Sequence, residues 1–507
     1  MSSDLNRRNF LGNAAAAAAA FTIVPRNVLG GSGFVAPSDK LNVAYIGLGT
    51  EGIREMLPMM RSDEIQIVAV CDPNKESTNY VDWSKDGLVR DVRKFLGNPN
   101  WREGIDGIPG GREVGREIVE TYYGSKRPSG EFKGCASFAD FRELLEKQKD
   151  LDAVKIMTPD HLHATISIAA MKKGKHVLMH KPIANRVDEA RKVLAVRAQS
   201  KVATHFIPWD ARGPIDTVMA WINDGAIGKL REVHNWSHRP MWPQYATLPT
   251  ERPPVPQGFD WDLWLGPEQD RPYSPNYTNA VFRGWYDFGG GSICDMGHYS
   301  LWTVFRTLKL EAPVTVEATP STICLLDGQV SRRVHNDYSF PLSSTIRMRF
   351  AAGADRGPID IFWYEGGIRP RTPEELYEDN QELDNEGMMF VGDRGKILAG
   401  FNIDHPRLIP EKKMREYQGP AAKPERPERD EDEVPAGVIE WIEACKTGKT
   451  STGDFSYAGP ISEAFNLAAI ALRTGKRLQW DAANMKITNF PEANKCLYRQ
   501  YRKGWEL

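Results

Sequence analysis

The sequence predicts an α/β protein in two parts: a doubly wound parallel sheet, then an α/β domain on a larger, mixed or antiparallel sheet. Three observations predict it. Apolar runs of strand length alternate with helical segments from about residue 41 to residue 180, and that alternation builds a parallel sheet covered by helices. A glycine-rich turn closes the first of those runs. Beyond Pro182 the rhythm changes to alternating strands, such as 230–236 and 344–350, set among long aromatic loops, which suits antiparallel pairing.

Taken in order, the run 41–46 ends in glycines and leads into a helix expected over 51–60, and 65–70 is a second, mostly apolar strand. Strand, helix, strand in so short a stretch is a βαβ unit. Residues 75–135 break the pattern with Gly, Pro, Trp and charge, and one helical piece at 113–122; they read as an insertion placed to reach the ligand crevice. A helix over 138–147 with Ser137 as its N-cap, a strand at 153–157, a helix over 163–173 closed by Gly174 and a strand at 175–179 complete the first domain. Helices at 187–199 and 215–224 follow. The charged, Pro-rich stretch 420–435 is expected to be an exposed loop, and helices at 437–445 and 459–473 close the chain. The domain boundaries fall at 1–30, 38–182 and 183–507.

Composition narrows the class. Of 507 residues, 41% are hydrophobic and 26% charged, as in an ordinary globular protein. A net charge of −2 gives no pull toward nucleic acid or an anionic membrane. Cys71, Cys135, Cys294, Cys324, Cys445 and Cys496 show no C-x-x-C and no metal-type spacing, so they read as mostly buried thiols, and no metal site is expected. The first thirty residues are a separate matter. Arg7-Arg8-Asn9-Phe10-Leu11, the alanine run 14–20 and Phe21-Thr22-Ile23-Val24 make a twin-arginine export signal. Its apolar stretch is too short for a spanning helix. The expectation is an exported, periplasmic protein without stable membrane insertion.

Gly47-Leu48-Gly49-Thr50-Glu51-Gly52 is G-x-G-x-x-G between a strand and a helix, the setting in which that motif carries a mechanism. The first glycine makes the turn, the second admits a pyrophosphate, and the third lets helix and strand pack; the helix N-terminus faces the phosphates. Asp72 stands at the end of the second strand, where a carboxylate bonds a ribose diol and disfavours a 2′-phosphate. The cofactor expected is NAD, with NADP left open by Asn74 and Lys75. Thr158-Pro159-Asp160-His161-Leu162-His163 follows the strand at 153–157, on the crevice edge. Thr158, Pro159, His161 and His163 are expected against ribose or nicotinamide, and Asp160 as a helix cap. His180-Lys181-Pro182 ends the next strand, where the Lys181 ammonium can stabilise an alkoxide. Farther on, Gly289-Gly290-Gly291 leads into a helix carrying Asp295, His298 and Tyr299; at helical spacing Asp295 neighbours both others. Histidine is the readiest proton shuttle near neutrality, and tyrosine serves beside a cation.

These segments, with Trp261–Pro267 and Gly392-Asp393-Arg394-Gly395, resemble the Gfo/Idh/MocA oxidoreductase family from about residue 38 onward. The resemblance implies a Rossmann domain and a C-terminal α/β domain with a large, open, mostly antiparallel sheet that carries substrate contacts and often oligomer contacts, here a homo-oligomer. It implies hydride transfer between a nicotinamide and a sugar or polyol. Exported members of the glucose–fructose oxidoreductase type are similar in their twin-arginine signal. The chain departs from the family pattern twice. His180 stands where Glu-Lys-Pro is usual, and Tyr299 stands where a histidine often follows Asp by four. On that basis Tyr299 is the expected acid/base, His298 the alternative, Lys181 the oxyanion stabiliser and Asp295 the residue orienting the substrate hydroxyl. Two other functions fit the same residues: a glycosidase that uses NAD transiently, and a non-catalytic carbohydrate-binding protein.

Overall fold

The computed structural model describes residues 39–126, 134–206, 214–240, 242–423 and 432–507. The expected export signal at 1–30 and the middle of the loop 420–435 lie outside the described residues.

Strands β1 (Leu41–Ile46), β2 (Ile65–Cys71), β3 (Ala136–Phe138), β4 (Ala153–Ile156), β5 (His176–Met179) and β6 (Thr204–Phe206) form one sheet in the order 3-2-1-4-5-6. Every pairing in it is parallel. This is the Rossmann order, and its direction reverses between β1 and β4, where a ligand crevice opens at the carboxyl ends. The helices α1 (Thr50–Met59), α2 (Gly87–Leu96), α3 (Arg112–Ser125), α4 (Phe141–Lys147), α5 (His163–Lys172) and α6 (Val187–Gln199) connect these strands. Val43 through Ile46 of β1 and Ile67 through Cys71 of β2 are all buried, because helices cover both faces of the sheet.

Three features of this domain differ from the sequence expectation. The insertion after β2 holds two helices, α2 and α3, where the pattern predicts one piece at 113–122. Ser137 does not cap α4: it lies in β3, and its hydroxyl donates to Glu113 Oε1 at 2.7 Å. Asp140 caps that helix instead, accepting from the Arg142 N–H at 2.8 Å. The parallel sheet also runs past residue 182, taking its sixth strand from Thr204–Phe206.

After α7 (Ile215–Asn223), the chain builds a second sheet from β7 (Leu230–Trp236), β8 (Thr315–Pro320), β11 (Ser344–Phe350), β12 (Ile359–Glu365), β13 (Gly387–Gly392), β14 (Lys396–Ala399), β15 (Arg407–Ile409), β16 (Leu478–Asp481) and β17 (Lys486–Ile487). Its order is 15-14-13-7-12-11-8-16-17. Only the β7–β12 pair among these is parallel. Alternation places Ile346, Met348 and Phe350 of β11 and Ile359, Ile361 and Trp363 of β12 in the core, with Arg347 and Asp360 facing outward. Strands β9 (Cys324–Asp327) and β10 (Val330–Arg333) form a separate, exposed ribbon.

Helix α8 (His298–Thr307) leads into this sheet. Helix α9 (Ala436–Thr447) returns to the first domain: its Val438, Trp441 and Ile442 join the core beneath α1, α2 and α3. Helix α10 (Gly459–Thr474) packs against both α6 and β8. One continuous apolar core therefore joins the two sheets. Among the described residues no helix is long and apolar enough to cross a membrane. The six cysteines are free; Cys71, Cys135 and Cys294 are buried and Cys324 is exposed.

Candidate active site

The glycine turn at the end of β1 is built as the sequence requires. Gly47 has φ +99°, and a Cβ there would meet the Met157 carbonyl carbon and oxygen at 2.6 Å. A Cβ on Gly52 would stand 2.2 Å from the Gly47 carbonyl oxygen, so only glycine lets α1 pack onto the turn. Gly49 precedes α1 without a side-chain cap, which leaves the first-turn N–H groups for an anion. Asp72 secures the turn by accepting from the Leu48 N–H at 2.7 Å and the Asn74 N–H at 2.8 Å. Burial pushes its carboxyl up to about 6, against the pull of those two N–H groups and of Arg112. A carboxylate oxygen has lone pairs to spare beyond these bonds, so the residues fit a dinucleotide.

The insertion folds over this turn. The Tyr80 ring would lie 3.3 Å from a Cβ on Gly49. Thr50 Oγ1 donates to the Val81 carbonyl at 3.0 Å, and Arg54 holds the Asp82 carboxylate at 2.7 and 2.9 Å. The cleft is lined here by Ser77, Asn79, Tyr80 and Trp83, and continues past Thr158, Pro159 and Glu51 to Lys181, Asp295 and Tyr299. Glu51 pairs with Arg54 at 2.9 Å, while burial raises its pKa.

At the far end, Lys181 leaves the terminus of β5 and is 3% exposed. Its ammonium is paired with Asp295 Oδ1 and lies 4.7 Å from the centre of the Tyr299 ring. Burial lowers the pKa of Lys181, and Arg283 adds to that, while Asp295 opposes it. Asp295 is held below the usual carboxylate range, its burial outweighed by Lys181 and Arg283. Tyr299 turns its hydroxyl toward His180 Nε2 at 3.0 Å.

Several expectations are corrected by this geometry. His298 is not at the cleft. It is fully buried, with Nδ1 2.6 Å from the Cys294 carbonyl oxygen and its ring edge-on to Phe206 and Phe465. Burial pushes its pKa down to about 3. The reason lies in the backbone: Ile293–Gly297 is a π-helical segment, whose wider turn keeps Asp295 and Tyr299 on one face and turns His298 into the core. His161 and His163 are also internal. His161 Nε2 lies 2.9 Å from the Trp264 carbonyl oxygen, and the ring packs between Trp264 and Phe288. Both ring nitrogens of His163 face carbonyl oxygens, of Pro182 at 2.5 Å and Thr158 at 2.9 Å. Asp160 does not cap α5; its Oδ2 accepts from the Gly290 N–H at 3.0 Å and so ties the glycine run to the crevice edge. Asp295 does line the cleft, and it also pairs with two cations, Lys181 and Arg283.

Arg283 is not visible in the sequence. It sits in a short 3-10 segment, Asn279–Gly284, with Nε 3.3 Å from Asp295 Oδ1. Gly289 is what lets it approach: a Cβ there would meet the Arg283 Cα at 2.5 Å. Arg239, Trp264 and Tyr273 also line the cleft; Trp264 falls in the Trp261–Pro267 segment, and no motif marks Arg239 or Tyr273. Most of the other tryptophans of the second half, Trp236, Trp285 and Trp363 among them, are core.

The fold and cleft define a two-domain architecture in which a Rossmann domain carries a glycine turn that fits a dinucleotide. Two family models match the chain: the oxidoreductase family NAD-binding Rossmann fold over residues 116–206, and the C-terminal alpha/beta domain of the same family over 217–336. Both matches are to models of the Gfo/Idh/MocA oxidoreductase family, one in each domain. It is 33% identical over 114 residues to a levoglucosan dehydrogenase of Pseudarthrobacter phenanthrenivorans, covering 21% of this chain and 29% of that one. It is 25% identical over 206 residues to a glycosyl hydrolase family 109 protein of Shewanella baltica, covering 38% of this chain and 36% of that one. These matches span about a third of the curated relatives' length. The fold is shared with the WlbA dehydrogenase of Bordetella pertussis, solved in complex with NADH and UDP-GlcNAcA, at a TM-score of 0.51 and 14% identity over 87% of this chain and 99% of that one.

Proposed function

We propose that the chain is an NAD-dependent oxidoreductase acting on a CH–OH group of a sugar, glycoside or polyol. The observation that carries this reading is the convergence of Lys181, Asp295 and Tyr299 in the same cleft as the glycine turn. The bound dinucleotide supplies the hydride acceptor or donor. The chain supplies the rest. The uncapped N-terminus of α1 takes the diphosphate and Asp72 the ribose diol, favouring NAD over NADP. Tyr299 takes or returns the proton of the reacting hydroxyl. Lys181 stabilises the oxygen as charge develops on it, in a site from which burial excludes water. Asp295 keeps that lysine charged and aimed.

We place the enzyme in the periplasm on the strength of Arg7-Arg8 and the alanine run, and read it as a homo-oligomer from its family resemblance. A second reading, a glycosidase that oxidises and re-reduces its substrate, draws on the resemblance to the glycosyl hydrolase family 109 protein.

One experiment separates the two. The purified protein is analysed by mass spectrometry for bound nucleotide, then mixed with a panel of sugars and glycosides while nucleotide absorbance and free monosaccharide are followed. Net reduction of the nucleotide supports the oxidoreductase; sugar release without it supports the glycosidase. Lys181→Met should keep nucleotide binding and lose turnover by about 100-fold or more. Normal turnover in that variant sinks the assignment.

A further inference from the structure

We propose that His180 is the proton partner of Tyr299: its Nε2 takes the phenolic proton as the Tyr299 oxygen takes the proton of the substrate hydroxyl. The inference deepens the reading above and rests on it for its catalytic half.

A tyrosine with an ordinary pKa near 10 is protonated at neutral pH. To accept a proton it must pass on its own, and the acceptor must lie within hydrogen-bond reach. His180 Nε2 is 3.0 Å from the Tyr299 oxygen, and the histidine is 4% exposed. The charges facing His180 come from every side. Lys155 on β4, the adjacent Lys181 and Arg283 stand on the cationic side, with His163 on α5 beside them. Together with burial they hold the imidazole neutral, pushing its pKa well below the usual value. Glu55 on α1 stands on the other side, with Oε1 4.0 Å from Nε2 and Oε2 accepting from Lys155 Nζ at 3.1 Å. A neutral ring offers a lone pair, and Glu55 offsets the charge the ring gains when it is used.

The balance closes. The substrate O–H bond breaks to Tyr299, the Tyr299 O–H bond breaks to His180 Nε2, and the C–H bond leaves with its electron pair to the nicotinamide as C=O forms. One proton ends on His180, and in the reverse direction it returns by the same two steps.

The test uses the full-length protein in two measurements. In protein labelled with ¹⁵N-histidine, the His180 signal is assigned with His180→Gln. Near neutral pH its Nε2 should resonate as an unprotonated, hydrogen-bonded nitrogen and move when Tyr299→Phe removes the donor. An Nε2 that carries the proton, or one indifferent to Tyr299→Phe, overturns the proposal whether or not a substrate is known. With a turned-over sugar, His180→Gln should lower kcat about 100-fold with KM nearly unchanged. The loss should shrink as pH rises toward the tyrosine range, because Tyr299 then ionises unaided, and His180→Glu, which restores a strong acceptor, should recover much of the rate. A uniform loss at every pH marks a merely structural histidine and overturns the proposal. If the wild type oxidises no sugar, it is the oxidoreductase reading that falls, and the state of Nε2 alone decides the pair.

Discussion

Asp72 must act as a carboxylate in a place that favours the acid. Burial raises its pKa to about 6, and only the Leu48 and Asn74 N–H groups and Arg112 pull it down. Above that pH it is ionised and accepts from a ribose diol; below it, the proton removes that acceptor. Dinucleotide affinity should therefore fall as pH drops through about 6, with little change above about 7. Titration calorimetry across that range checks it, and Asp72→Asn should bind weakly with the step gone. A step of the same size in Asp72→Asn would assign it to another group. At this scale the sequence is partly legible. Gly47, Gly49, Gly52, Asp72, Lys181 and Tyr299 stand together because their positions follow from strand ends and turns. His161, His163 and His298 fall inside the protein instead, because residue type says nothing about which way a side chain faces. Arg283 is invisible, since a long aromatic loop has no period from which to read its path.

Glycines decide how the elements meet. The third glycine of the turn has no spare room, because its added Cβ would stand 2.2 Å from a backbone oxygen that cannot rotate away. Gly52→Ala should destabilise the fold by about 1–3 kcal/mol, the usual cost of overpacking, and weaken dinucleotide binding as α1 lifts off β1. Thermal unfolding with and without nucleotide checks both; an unchanged midpoint would mean that α1 has slack. Regular strands and helices are readable because each buries one face or both, leaving a repeat in the sequence. The insertion between β2 and β3 is legible as an interruption that reaches the crevice, but the contacts by which it folds over the turn are not. Its contacts, such as Thr50 to Val81 and Arg54 to Asp82, join residues 31 and 28 positions apart, and no local pattern encodes them.

Across the whole molecule the two sheets share a core, and the C-terminal segment is tied into the helix that follows β5. Arg499 is buried with Glu189 of α6, its Nε 2.6 Å and Nη2 2.9 Å from the carboxylate, and it also pairs with Glu268. Replacing one partner of such a group strands the other charges in the interior. Arg499→Met should cost about 3–5 kcal/mol at neutral pH. That cost should shrink as pH falls, because buried carboxylates that have lost their arginine take up protons more readily than exposed ones. Urea unfolding at neutral and acidic pH checks it, and a pH-independent loss would point to packing instead. This level is the least legible in advance. The sequence divides cleanly at Pro182, whereas the structure draws β6 and α9 back into the first domain.

That return has a consequence for how the first domain holds together. Trp441 beneath the nucleotide domain, and Trp505 against Phe141 with centroids 6.2 Å apart, both follow in sequence the whole sheet that they help to cover. The nucleotide domain thus depends on a helix that follows it in sequence, and a fragment ending before Ala436 would leave part of that core uncovered.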